Sequence, residues 1–80
     1  MSDKLKIYKE CFSESFSIPF EKIDKQLKYN EIQEWDSIGH MTLISSLEEK
    51  FKITLETDDV IDFSSFTKGI EILKKYKVEI

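Results

Sequence analysis

An aspartate, a serine and a histidine stand close together at Asp36, Ser37 and His40. These are the residue types of a hydrolytic triad, in which histidine takes the proton of a serine nucleophile and a buried carboxylate orients the ring. Their spacing argues for different work. Triads are assembled in space, with the base oriented by a third group and an oxyanion hole beside the nucleophile. Here all three sit in one local stretch, and no Gly-x-Ser-x-Gly elbow frames the serine. His40 is instead expected on a helix surface flanking Ser37. Metal chemistry is no better served. Cys11 and His40 are far apart in sequence and make no zinc set. Asp58, Asp59 and Asp62 lack the spacing and the glycine of a calcium loop. Cys11 reads as a small buried hydrophobe, and Trp35 as a residue that packs a loop onto the core.

What remains is a serine at the start of a helix. From Ser37 to about Phe51 the apolar residues Ile38, Met41, Ile44, Leu47 and Phe51 recur at steps of three and four, one helical face. Asp36 and Ser37 are both good N-cap types, and loss of such a cap costs about 1 kcal/mol. Upstream, Leu5, Tyr8, Phe12 and Phe16, with Ile7 and Cys11 beside them, predict a first helix over residues 4–16. Ser2 or Asp3 is its expected cap, and Pro19 its expected end, because the residue before proline avoids helical angles. Between these helices, residues 17–36 hold Ile18, Phe20, Ile23, Leu27, Ile32 and Trp35 without a period. So long a connection is unusual in a small domain and points to function. It is expected as a loop pinned to the core, with a short turn around 21–28. Residues 53–57 alternate like a strand but have nothing to pair with, and read as an extended connector. Thr57 is the expected cap of a short helix with Val60, Ile61 and Phe63 inward and Asp58 and Asp59 at its positive end. Ser64 or Ser65 then caps a last helix carrying Phe66, Ile70, Leu73 and Tyr76 on one face, with Lys74, Lys75 and Lys77 at its negative end. The expected fold is all-α: a small four-helix bundle of three longer helices and one short one, with a long loop between helices 1 and 2. One domain is expected to span residues 1–80.

Composition narrows the function. Eighty residues leave a small core, with little to spare for a deep catalytic pocket. All twelve basic residues are lysines, the net charge is −4, and the pI is near 5.0. Without arginine, the residue suited to bidentate phosphate and base recognition, nucleic-acid binding is disfavoured. No apolar run approaches a membrane span and the charged start is unlike a signal peptide. A cytoplasmic protein without membrane insertion, and a monomer, is expected. The charge is also uneven. Residues 1–28 sum to +1 and residues 68–80 to +2, whereas residues 29–67 hold nine acids against Lys50 and Lys52, a local charge of −7. Such a middle can steer a basic partner, or it can simply solvate helix faces and favour helix starts.

The stretch Glu34-Trp35-Asp36-Ser37-Ile38-Gly39-His40-Met41 resembles the opening of the second helix in the acyl carrier protein family, whose hallmark is an Asp-Ser-Leu-like triplet. Here the triplet is Asp36-Ser37-Ile38, with Ile38 a conservative departure. The resemblance continues through residues 47–53, residues 58–66 and the last helix. It implies that Ser37 accepts 4′-phosphopantetheine from coenzyme A through a phosphopantetheinyl transferase, with Asp36 flanking the attachment point. It further implies that acyl-activating, acyl-transfer or condensing enzymes are the other partners. Partner recognition in the family uses acids of the second and third helices. By resemblance, Asp36, Glu48 and Glu49 match such positions, and Asp58 and Asp59 lie near the third helix. Ile38, Met41 and Ile61 are candidates for an apolar centre of the docking patch, core packing being the alternative for Met41. Gly39 and Thr42 depart from the pattern, standing where fatty-acid carriers usually have acids. The Trp-Asp-Ser-x-Gly-His run looks more like stand-alone carriers of specialised pathways than fatty-acid synthesis.

The reading is therefore a non-catalytic carrier of acyl or aminoacyl thioesters on an arm at Ser37. The competitor is a small acidic helical interaction module without a prosthetic group. An apolar cargo would find shelter among Phe12, Ile44, Leu47, Val60 and Ile70 only if the helices parted.

Overall fold

Among the described residues four α-helices follow one another: α1 (Asp3–Phe16), α2 (Ser37–Phe51), the short α3 (Thr57–Asp62) and α4 (Phe66–Lys75). The computed structural model describes residues 3–80, so Ser2, one of the two expected caps of α1, lies outside the described residues. Between α1 and α2 the only helical element is a 3-10 turn at Phe20–Lys22, at the early edge of the turn expected there. No strand forms among the described residues. Residues 53–56 are an irregular connector, as their unpaired alternation implied.

The helix starts follow small acceptors where these exist. The Asp36 carboxylate accepts the Gly39 N–H, and the Ser65 hydroxyl oxygen accepts the Lys68 N–H. At α3 the expected cap is corrected. Glu56 occupies the cap position without a side-chain bond, and Thr57 is already helical. A hydroxyl from elsewhere serves instead, since the Glu56 N–H donates to Tyr76 Oη at 3.1 Å. The helix ends are less ordinary. Ser17, Lys52 and Lys77 all adopt left-handed backbone, with φ of 54°, 56° and 66°. In each case the next residue's N–H reaches back to a carbonyl of the last turn, Ser13, Glu48 and Leu73 respectively. This is the closing motif usually given to glycine. It also means that α1 is ended by Ser17, ahead of the expected terminator Pro19.

Aromatic rings fill the core. Phe12 is fully buried and packs edge-on against Tyr8 (4.9 Å between centroids) and Trp35 (5.4 Å), and against Phe66 at 5.3 Å. Such pairs add about 0.5–1.5 kcal/mol each beyond the apolar area they bury. The Tyr8 hydroxyl is satisfied by donating to the Phe66 carbonyl at 2.7 Å. Gly69 makes this packing possible: a Cβ there would collide with the Tyr8 hydroxyl and the edge of Phe63. Cys11 is fully buried beside these rings, and burial pushes its thiol pKa up, which makes the thiolate scarce.

The long loop is held by backbone bonds. Leu27 C=O accepts the Phe66 N–H at 2.9 Å, and the Tyr29 N–H donates to Ser64 C=O at 2.8 Å. The loop thus occupies free backbone groups at the start of α4. Ile18, Ile23, Leu27 and Trp35 anchor it to the core, while Phe20 stays exposed.

The buried face of α2 differs from the expected stripe. Leu43, Ile44 and Leu47 are buried, whereas Ile38 is 79% and Met41 53% exposed. A step of three residues falls about 60° short of a full turn, so three such steps carry Leu47 about 180° from Ile38. Ile61, expected inward on α3, is 72% exposed. On α4 the buried face is Phe66, Gly69, Ile72 and Leu73, with Ile70 and Tyr76 only half-buried.

Candidate functional site

Ser37 is the first residue of α2 and is exposed, directly after its N-cap Asp36. One oxygen of the Asp36 carboxylate, Oδ1, accepts the Gly39 N–H at 2.8 Å, which fixes the first turn beneath the serine. Gly39 has a packing reason as well. A Cβ at this position would run into the Glu34 carbonyl and press on the Phe16 ring, so the loop lies directly against the helix here. The helical cost of glycine, about 1 kcal/mol relative to alanine, accompanies a close approach that a larger residue would block.

One side chain comes to the serine from another part of the chain. Tyr29, in the long loop, places its hydroxyl 3.3 Å from Ser37 Oγ. Its backbone is tied to Ser64 and its ring lies edge-on to His40, 5.4 Å between centroids. His40 is not the surface residue the sequence suggested. Its Nδ1 accepts the Trp35 indole N–H at 3.0 Å, and its Nε2 lies 2.8 Å from the Val60 carbonyl. An acceptor at Nδ1 and a carbonyl opposite Nε2 together require the neutral ring with its proton on Nε2. Both ring nitrogens are therefore engaged away from Ser37, and the histidine joins the loop, α2 and α3.

Beside Ser37 an open, mostly apolar cleft runs between α2 and α3, walled by Tyr29, His40, Met41, Val60 and Ile61. The five residues expected to shelter an apolar cargo do not enclose one space. Phe12, Ile44 and Leu47 are packed in the core, Val60 lines this cleft, and Ile70 lines a separate groove against α1.

The acids divide in two. Asp36, Glu49 and Asp58 are exposed. Glu48 is half-buried and its carboxylate accepts the Leu55 N–H at 2.8 Å, bracing the connector after α2. Asp59 departs furthest from its expected place on a partner face. It is 7% exposed and held by the Lys75 ammonium and the Tyr76 hydroxyl. The hydrogen bond from Lys75, and then that from Tyr76, keep its carboxyl below the ordinary 3.8. Asp59 thus ties α3 to the end of α4. Among the described residues no three His, Cys, Asp or Glu side chains converge to hold a metal ion, and no helix is long and apolar enough to cross a membrane.

Sequence reasoning placed Asp36 and Ser37 at the opening of α2, where the structure has them, and missed Tyr29 beside them. Nothing local marks Tyr29, because its reach depends on a backbone bond to Ser64. The pairing of Trp35 with His40 had a faint signal, two hydrogen-bonding rings flanking one helix start.

No family model matches the chain. An acyl carrier protein of Lactobacillus johnsonii is 29% identical over 68 residues, which are 85% of this chain and 85% of that protein. That likeness over most of both chains, on an all-helical bundle with an exposed serine opening α2, supports membership of the acyl carrier protein family.

Proposed function

We propose that the chain is a non-catalytic carrier, one domain over residues 1–80, whose Ser37 is the attachment point for 4′-phosphopantetheine. The observation that carries this reading is the exposed Ser37 hydroxyl at the opening of α2, at the rim of an open apolar cleft. The residues fit the group. Asp36 takes up the Gly39 N–H, while the N–H groups of Ser37 and Ile38 have no acceptor within the helix and can face a phosphodiester, whose charge the helix start favours. Met41, Val60 and Ile61 offer apolar surface to whatever extends from it. When bound, 4′-phosphopantetheine supplies a terminal thiol that holds an acyl or aminoacyl group as a thioester.

Ser37 Oγ forms the new bond to the pantetheine-side phosphorus of coenzyme A. The pyrophosphate P–O bond breaks, 3′-phosphoadenosine 5′-phosphate leaves, and the serine proton passes to the transferase. His40 takes no part as a base, since both its nitrogens are engaged. The exposed acids Asp36, Glu49 and Asp58 and the exposed apolar residues Ile38, Met41 and Ile61 make up the partner face we infer, for the transferase and for acyl-activating, acyl-transfer or condensing enzymes. Glu48 and Asp59 are left out of it because their carboxylates are already engaged within the fold. A cytoplasmic monomer serving a specialised pathway is the setting we infer.

The test is direct. The purified protein is incubated with coenzyme A and a broad-specificity phosphopantetheinyl transferase, and its intact mass is recorded. A gain of one phosphopantetheine that is lost in Ser37→Ala is the expected result. No gain, with folded protein and active transferase, would favour an acidic interaction module without a prosthetic group.

A further inference from the structure

The Tyr29 hydroxyl is the only side-chain group seen reaching Ser37 Oγ among the described residues, at 3.3 Å, and its position is built rather than incidental. The Tyr29 N–H is fixed on the Ser64 carbonyl at 2.8 Å, immediately before the cap of α4. The ring is held against His40, 5.4 Å between centroids, and Trp35, 6.3 Å. Those two rings are locked to each other by the indole bond, and His40 is locked in turn to α3 through Val60. A phenol carried on the long loop is thus aimed at one oxygen. The ring alone would satisfy the packing, and a phenylalanine would fill the same space. The hydroxyl adds a hydrogen bond whose other partner is the hydroxyl proposed for modification.

Esterification removes the proton of Ser37 and leaves an ester oxygen bonded to a phosphodiester anion. Tyr29 can then act only as donor, and a donor beside an anion makes a stronger bond than one between two neutral hydroxyls. We propose that Tyr29 is a positioning residue for the Ser37 site: its hydroxyl orients Ser37 Oγ before modification and donates to the phosphodiester afterwards. This rests on the carrier reading above. It assigns to the long loop a task at the modified serine, and it makes the first few atoms of the arm oriented rather than freely swinging.

The experiment compares wild type with Tyr29→Phe, which keeps the ring, both before and after loading by a phosphopantetheinyl transferase. Three readouts are taken: the Tyr29 13Cζ shift in the wild type, the phosphodiester 31P shift in both proteins, and the loading rate. The expected result is a Tyr29 13Cζ shift that moves on loading and a 31P shift that differs between the two loaded proteins. Loading of Tyr29→Phe should slow by about tenfold in kcat/KM, the loss of one hydrogen bond to the attacking serine. The 13Cζ readout needs no variant, so the proposal stays open to refutation even where Tyr29→Phe folds poorly. If the wild type loads but its Tyr29 13Cζ shift is unmoved, or the two 31P shifts coincide, the Tyr29 role is overturned and the carrier reading stands. If wild type gains no mass at all, the carrier reading itself fails, and the role of Tyr29 falls with it.

Discussion

Leu43 and Met41 stand two positions apart on α2, and one is fully buried while the other is mostly in water. The difference lies in what faces them. Leu43 belongs to the buried cluster to which the first helix supplies Tyr8, Phe12 and Phe16 and the loop adds Trp35. In front of Met41 stands the open cleft, bordered by exposed Ile61, and Ile38 is exposed as well. The inner side is held by many small contacts that reinforce one another. The outer side is positioned by a few individual bonds: His40 to Val60, Tyr76 to the Glu56 amide, and Asp59 to Lys75. A molecule of this size can keep an apolar surface uncovered because the stability comes from the other side of the same helix.

The contrast can be broken most severely from inside. Trp35→Ala removes the ring that joins the loop to Phe12 and should cost about 3–5 kcal/mol, read as a lowered midpoint in urea. Gly69→Ala overfills the same side, since its methyl group would meet the Tyr8 hydroxyl and Phe63. A loss of about 1–3 kcal/mol is expected, and a variant as stable as wild type would show that the aromatic packing is looser than described. At the boundary between the two sides, His40→Leu leaves the Trp35 N–H and the Val60 carbonyl without their partner. An expected loss of about 1–3 kcal/mol should be accompanied by faster amide exchange in α3, while α1 keeps its protection.

A pH series sharpens the outer side. The Asp59 carboxyl is held below its ordinary value of 3.8 by Lys75 and Tyr76. A depressed value in the folded state gives stability that is complete above the unfolded value and lost as pH falls through the folded one. Wild type should therefore melt higher than Asp59→Asn near neutral pH, and the gap should close as pH falls below 3.8. A gap independent of pH would mean that Asp59 acts through packing and not charge. The smallest effect on the fold is expected at the cleft itself. Ile61→Ser should change stability by less than about 0.5 kcal/mol, yet weaken docking of the transferase if the partner face is as proposed, read as a raised KM for the protein.

The element order and the place of Ser37 at the opening of α2 were legible because each rests on local chemistry. A carboxylate before a helix, and apolar residues returning every turn, act within a few positions. The ends of the helices were less so. A chain with two glycines offers few visible stops, and here Ser17, Lys52 and Lys77 take left-handed backbone in their place. The outward turn of Ile38 was hidden by reading successive steps of three as a stripe, when they spiral around the helix. Asp58 and Asp59 are identical in type and adjacent, yet one is exposed and the other is clasped by Lys75 and Tyr76. Only the docking of α4 separates them. Tyr29 is the same lesson at the site, a hydroxyl delivered by a backbone bond to a distant residue.

Trp35 is the chain's single tryptophan, and its indole N–H is bonded to a ring that also holds the Val60 carbonyl of α3. The molecule therefore carries its own optical gauge. Ultraviolet emission from this one indole is governed by a neighbour three residues from Ser37, so parting of α2 from α3 should alter its colour and intensity. Whatever shifts these helices, the proposed loading of Ser37 included, should be readable by that light, on the unlabelled protein, in real time.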